Sequence, residues 1–139
     1  MPVLDYPISK KDWDKEAGAR NGISTGREER TQVAAGPWQP AIQKITDFQR
    51  LEDDWDGSGA KAPSGELLDS AIALACAFCK TGMQPPSRVV PGVTGTVLLE
   101  WQFSDGTYGE VEIVEPFYAE VMMIQPGHPP KHWTLPTED

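Results

Sequence analysis

The sequence has little of what most catalytic and metal sites are built from. It contains only two histidines and two cysteines. Both histidines, His128 and His132, lie near the C-terminus, where Pro129 and Pro130 exclude the one-face helical geometry of a zinc-binding H-x-x-x-H pair. No phosphate-binding loop, dinucleotide fingerprint or nucleophile elbow occurs. These absences favour a protein that is not an enzyme and that uses no cofactor.

The two cysteines do not form a convincing redox site. Cys76 and Cys79 match C-x-x-C, but redox pairs lie at a helix N-terminus after a strand, whereas these lie late in an Ala-rich segment. Their position predicts buried, inert thiols and no disulfide framework. The sequence also lacks an apolar run long enough to span a membrane and a signal segment, so we expect a cytoplasmic protein without membrane contact.

Basic residues are scarce as well. The chain has 12 Lys and Arg against 21 Asp and Glu, a net charge of −9. Residues 38–125 contain 13 acidic and five basic residues, which gives this segment alone −8. Such a surface repels phosphate backbones, which disfavours direct nucleic-acid binding and is compatible with a partner protein that has a basic surface. The alternative is that the charge serves only solubility.

The distribution of apolar residues divides the chain into three parts. Residues 1–37 show little periodicity and are predicted to form an extended or disordered arm, in which Tyr6 and Trp13 are candidate anchors. Residues 38–125 are predicted to form one α+β domain. Residues 126–139 are predicted to form a Pro-rich tail, with Trp133 as a candidate anchor.

Two helices are predicted at the start of the domain. The first runs from about Pro40 to Asp54, and its apolar residues recur at helical spacing in one stripe: Ile42, Ile45, Phe48, Leu51 and Trp55. The second begins after an N-cap at Ser64 and ends at Lys80, before Gly82.

The second half of the domain has the period-2 alternation of half-buried strands. Keeping the apolar residues on one face places Leu99 opposite Val111 and requires a three-residue loop over residues 104–106, with Gly106 in the left-handed conformation. "RVVPGV" predicts a short edge strand, because Pro91 cannot donate a ladder hydrogen bond. The predicted fold is α+β, with two helices packed on one face of a three- to four-stranded antiparallel meander sheet.

The same pairing predicts an acidic opposite face. Glu100 falls opposite Glu110, and Glu112 falls opposite Glu120, although like charges across a ladder are mildly destabilising. Apolar side chains among them suit a protein interface. The expected partner-binding residues are Glu100, Glu110, Glu112, Glu120, Leu98 and Met122. The alternatives are solvated glutamates that discourage edge aggregation, or a divalent-metal site.

The segment "DDWDGSGAKAPSGE", residues 53–66, is similar to the first half of a calcium-binding EF-hand loop. Asp54, Asp56 and Ser58 occupy the first, third and fifth ligand positions. The match then fails, because the twelfth position is Gly65 and Glu66 follows one residue late. The alternative function that this segment indicates is a divalent-metal-binding protein or a metal-dependent hydrolase that uses Asp54, Asp56, Ser58 and Glu66.

A structural turn accounts for the same segment. Asp56 or Ser58 would accept hydrogen bonds from backbone N–H groups, Gly57 and Gly59 would permit positive φ, and Trp55 would cap the core between helix and sheet. We favour this turn over the metal site.

Residues 48–124 resemble a family of small uncharacterised bacterial proteins. The resemblance rests on "LEDDWDGSGAKAPS", a following helix, "PPSRVVP" and "GTVLLEW", which match a Trp-Asp-Gly-x-Gly-Ala turn and a strand ending in Glu-Trp. It implies an association with toxin–antitoxin or defence genes and supplies no activity. The predicted function is a non-enzymatic protein-interaction module, for example an antitoxin-like or defence-system accessory protein, that docks its acidic face, its arm or both onto a partner.

Overall fold

The computed structural model describes Trp13 and residues 36–135. Over this part of the chain two α-helices precede five strands. Helix α1 is Gln39–Asp47, with one-turn 3-10 helices before it (Gly36–Trp38) and after it (Phe48–Arg50), and α2 is Gly65–Lys80. The strands are β1 (Arg88–Pro91), β2 (Val97–Gln102), β3 (Tyr108–Glu115), β4 (Tyr118–Ile124) and β5 (Lys131–Leu135). No helix in the described ranges is long and apolar enough to cross a membrane.

The strands form one antiparallel sheet in chain order, with β1 and β5 at its edges. The α+β class and the antiparallel sheet are confirmed, whereas the predicted three to four strands are wrong because β5 adds a fifth. Strand β5 lies within residues 126–139, the predicted Pro-rich tail. Pro129 and Pro130 precede the strand, so Trp133 and Leu135 can face Val121 and Ala119 on the core side.

The predicted strand register is confirmed. Leu99 lies opposite Val111, and Ile113 lies opposite both Val97 and Ala119. Gly106 has a φ of 90° in the three-residue loop between β2 and β3. The alternation of side chains along these paired strands thus determines which of them face the helices.

Helix α2 begins and ends where its capping residues predict. The Ser64 hydroxyl oxygen accepts a hydrogen bond from the Leu67 N–H at 3.1 Å. At the other end Gly82 has a φ of 83°, and the Met83 N–H donates to the Phe78 carbonyl at 3.2 Å. This is the left-handed glycine cap of a Schellman motif. Most of the helix is buried, because its small and apolar residues allow close packing on several sides.

The first helix is shorter than the sequence predicts. Helix α1 ends at Asp47 and one 3-10 turn follows, after which Leu51 is already extended with a ψ of 142°. Ile45 and Phe48 are buried as the stripe predicts, but the stripe does not continue to Trp55. The aspartates after Leu51 bond backbone N–H groups within their own loop, which competes with helix formation.

Tryptophans connect the layers of the core. Trp38, Phe78 and Trp101 are in mutual contact, with ring centroids 6.1–6.2 Å apart. Trp13 is fully buried as well: its indole N–H donates to the Ser70 carbonyl at 2.8 Å. Trp13 is therefore anchored in the domain, whereas Tyr6 and the other residues of the predicted arm before Gly36 lie outside the described residues.

Candidate functional site: the acidic sheet face

The helices cover one face of the sheet, and the other face carries the predicted partner-binding residues. Glu100 lies opposite Glu110, and Glu112 lies opposite Glu120. Leu98 is opposite Glu112, and Met122 is opposite Glu110. The structure thus brings all six predicted residues together on β2, β3 and β4. We call this surface the acidic face.

Neighbouring polar groups hold three of the glutamates. The Thr96 hydroxyl donates to Glu112 Oε2 at 2.8 Å, and the Tyr108 hydroxyl donates to Glu110 Oε2 at 3.0 Å. Arg88 Nε lies 3.7 Å from Glu100 Oε1. Glu120 is exposed. The carboxylates are therefore oriented without being neutralised as a group.

The pKa of Tyr108 is raised by its position on this negative surface. Burial raises the pKa of Tyr108, and the hydrogen bond to Glu110 and the charges of Glu110 and Glu100 raise that pKa further. The hydroxyl therefore stays protonated and remains a donor to Glu110. Sequence reasoning missed Tyr108, Thr96 and Arg88, although the register places Tyr108 on the same face as Glu110.

Apolar side chains extend the acidic face toward its edges. Val90 on β1 lies opposite Leu98, and Ile124 on β4, 38% exposed, lies opposite Tyr108. His132 on β5 lies opposite Met122. The face therefore combines negative charge with apolar contact area, as protein interfaces do.

The second predicted site is the Asp-rich loop, residues 51–62, between the helices. Asp54 Oδ1 accepts the Gly59 N–H at 2.7 Å, and Asp56 Oδ1 accepts the N–H groups of Ser58 at 2.8 Å and Ala60 at 3.0 Å. The N–H groups of Ser58 and then Ala60 lower the pKa of Asp56 below its usual value. These carboxylates bind the backbone of their own loop.

The loop backbone needs left-handed residues at several positions. Gly57 and Gly59 have φ values of 75° and 89°, and Asp54 has a φ of 69°. Asp and Asn tolerate this region better than other non-glycine residues. In this conformation the Asp54 N–H donates to the Ala60 carbonyl at 2.6 Å, which closes the loop.

Trp55 does not cap the core, in contrast to the expectation. The ring is half-buried outside the core cluster, and its indole N–H donates to the Lys61 carbonyl at 3.0 Å. The Lys61 N–H donates in turn to the Val93 carbonyl at 2.8 Å, and Lys61 forms a parallel bridge with Thr94. The loop therefore fastens the helix pair to the β1–β2 turn.

The alternative metal-binding set is not gathered into one site. Glu66 lies in the first turn of α2, and Ser58 contributes its backbone N–H to Asp56. Within residues 36–135 and Trp13, no group of three or more His, Cys, Asp or Glu side chains is placed to hold a metal ion. Cys76 is buried and Cys79 partly buried near the end of α2, and neither forms a disulfide.

Fold and site together define an α+β domain whose antiparallel sheet presents an acidic outer face. In comparisons with protein-family models, with curated proteins and with solved structures, nothing matched this chain. The family resemblance of residues 48–124 therefore stays a prediction.

Proposed function

We propose that the protein is a non-enzymatic protein-interaction module whose acidic face binds a partner protein with a basic surface. The observation that supports this most is the register that sets Glu100 against Glu110 and Glu112 against Glu120 on the face of the sheet opposite to the described helices. An antitoxin-like or defence accessory role is one form of this proposal and depends on the family resemblance alone.

The arrangement has an energetic cost that a partner would relieve. Like charges directly opposite on a ladder are unfavourable, and cross-strand charge pairs contribute about 0.2–1 kcal/mol each. Among the described residues, Glu110, Glu112 and Glu120 form no ion pair. Lys or Arg side chains of a partner would replace this repulsion by attraction, and charge complementarity would also speed association.

Apolar contacts would supply the rest of the affinity. Leu98 and Met122 are only partly buried between the glutamates. Their side chains can be fully covered by a partner, whereas rim charges alone contribute little. Trp13 is buried in the core, so the proposal rests on the sheet face rather than on this residue of the arm.

The test compares two variants with the same change in net charge. Glu112→Gln with Glu120→Gln alters the acidic face, and Glu52→Gln with Glu66→Gln alters the Asp-rich loop and the first turn of α2. Proteins captured from the native host by the wild-type chain are quantified for each variant at increasing salt. We expect the face variant to lose basic partners and the control to keep them. Equal capture by the two variants would refute the acidic face as the binding surface.

A further inference from the structure

A groove of about 560 Å³ lies between the start of α1 and the edge strand β1. Its helix side is formed by Pro37, Pro40 and Lys44, and its strand side by Pro85, Pro86 and Arg88. The volume is in the range of protein ligand sites, and the proline rings give it apolar walls. It lies at the β1 edge of the sheet and adjoins the acidic face, because Arg88 contacts Glu100 and Val90 lies opposite Leu98.

The charge of the groove is opposite to that of the protein. The chain has a net charge of −9, yet the groove lining includes Lys44 and Arg88 and no carboxylate. Lys44 is exposed. Arg88, whose side chain is 68% exposed, also contacts Glu100 at 3.7 Å, but a single exposed ion pair of this kind is weak and leaves further guanidinium donors for an acceptor. The groove therefore favours an anionic occupant.

Among the residues that the structure describes, no strand pairs with the outer edge of β1, which lies beside the groove. Strand β1 pairs with β2 on one side and is the last strand of the sheet on the other. The Asp-rich loop meets this edge at the β1–β2 turn, where Lys61 contacts Val93 and Thr94. An edge strand presents unpaired N–H and C=O groups that another extended segment can bond. Ser87–Val90 line the groove along this edge.

We propose that the groove binds an extended, acidic peptide segment of a partner protein, which adds to β1 as a further antiparallel or parallel strand. The backbone of the segment bonds the β1 edge, its alternate side chains contact the proline walls, and a carboxylate meets Lys44 with Arg88 at the rim. Strand addition derives affinity from main-chain hydrogen bonds and selectivity from side-chain pockets. The groove shares Arg88 and Val90 with the border of the acidic face. The proposal does not depend on the partner proposed for that face, because the two surfaces select partners of opposite charge.

The experiment uses a short capped peptide of alternating Val and Glu, and a second peptide with Lys in place of Glu. Binding to the full chain is measured by calorimetry, and backbone amide shifts are followed by NMR. We expect the Glu peptide to bind, to shift the amides of Ser87, Arg88, Val89 and Val90, and to lose binding when its alternate amides are N-methylated. The Lys peptide should not bind.

The matched variants are Lys44→Glu, in the groove, and Lys131→Glu, on the opposite edge strand. Both change the net charge equally. Lys44→Glu should weaken binding of the Glu peptide about tenfold, as reversing one exposed ion pair does, and Lys131→Glu should change it little. Equal weakening by both variants, equal binding of the two peptides, or amide shifts away from β1 would overturn the proposal. Occupation by a second copy of the chain would also overturn it, and would appear as concentration-dependent dimers that Lys44→Glu removes.

Discussion

The Asp-rich loop and the acidic face are the two most acidic regions of the described chain, and they use their carboxylates in opposite ways. In the loop, Asp54 and Asp56 are bonded by backbone N–H groups no more than five residues away. On the face, Glu112 and Glu120 lie on different strands and oppose each other. The loop carboxylates therefore stabilise the fold locally, whereas we propose that the carboxylates brought together by strand pairing bind a partner.

The largest expected effect is the loss of stability when a tryptophan of the sheet is replaced by alanine, compared with the same replacement in the loop. Trp101 and Trp55 make similar hydrogen bonds, at 2.9 Å to the Gln84 carbonyl and 3.0 Å to the Lys61 carbonyl. Trp101 is fully buried and Trp55 is not. Trp101→Ala should lower the free energy of unfolding by about 3–5 kcal/mol, and Trp55→Ala by about 1 kcal/mol. Urea unfolding measures both, and similar losses would show that the loop ring belongs to the core after all.

A smaller effect on the melting temperature, and its pH dependence, should distinguish Asp56 in the loop from Glu120 on the acidic face. Because backbone N–H groups hold the pKa of Asp56 below its usual value of 3.8, Asp56 stabilises the fold above that pH. The contribution is lost as the pH falls through the depressed pKa. Asp56→Ala should therefore lower the melting temperature at neutral pH, and the difference from wild type should shrink on acidification.

The control for this series is Glu120→Gln, because Glu120 is exposed and opposes another glutamate. It should leave the melting temperature unchanged or raise it slightly at neutral pH. A decrease as large as that of Asp56→Ala would mean that the face carboxylates, too, are part of the fold.

A modest gain in stability should accompany loss of binding on the face. Glu120→Lys converts the repulsive pair with Glu112 into an attractive one, which should raise the free energy of unfolding by about 0.5 kcal/mol. The same change should weaken binding of a basic partner. Thermal melts measure the gain in stability, and quantitative capture measures the loss of partner binding. A variant that gained stability and kept its partner would contradict the proposed interface.

The smallest effect is expected at the first position of the EF-hand-like pattern. Asn tolerates the positive φ of Asp54 and keeps the Oδ1 acceptor for the Gly59 N–H. Asp54→Asn should therefore leave stability nearly unchanged. Calorimetry with calcium, magnesium and manganese should give the same response for wild type and variant. A saturable response that this substitution removes would support the metal-binding alternative.

Local signals predicted the regular parts of the fold. The Ser64 cap and Gly82 define α2, and the alternation of Leu99 with polar neighbours defines the sheet register and, with it, the acidic face. Each of these features depends on residues near one another in sequence or on the strict parity of paired strands. That parity is why the opposed glutamates were predictable without a structure.

Features that depend on distant contacts were not predictable in the same way. The apolar stripe from Ile42 to Trp55 predicts a helix that is too long, because helical spacing does not show that α1 ends at Asp47. The aspartates that follow accept hydrogen bonds from their own loop instead. Strand β5 was not predicted, because Pro129 and Pro130 directly precede it and were interpreted as part of a tail. The groove needs α1 and β1 to approach from different parts of the chain, and no short pattern records that approach.

The burial of Trp13 has a consequence for the order of folding. Its indole N–H bonds a carbonyl 57 residues away, and its ring lies 5.6 Å from that of Phe117. Contacts across such long separations close large loops and tend to form after local ones. The helices and the meander can therefore assemble first and receive the indole last, so that removing this ring would mainly accelerate unfolding and leave the folding rate little changed.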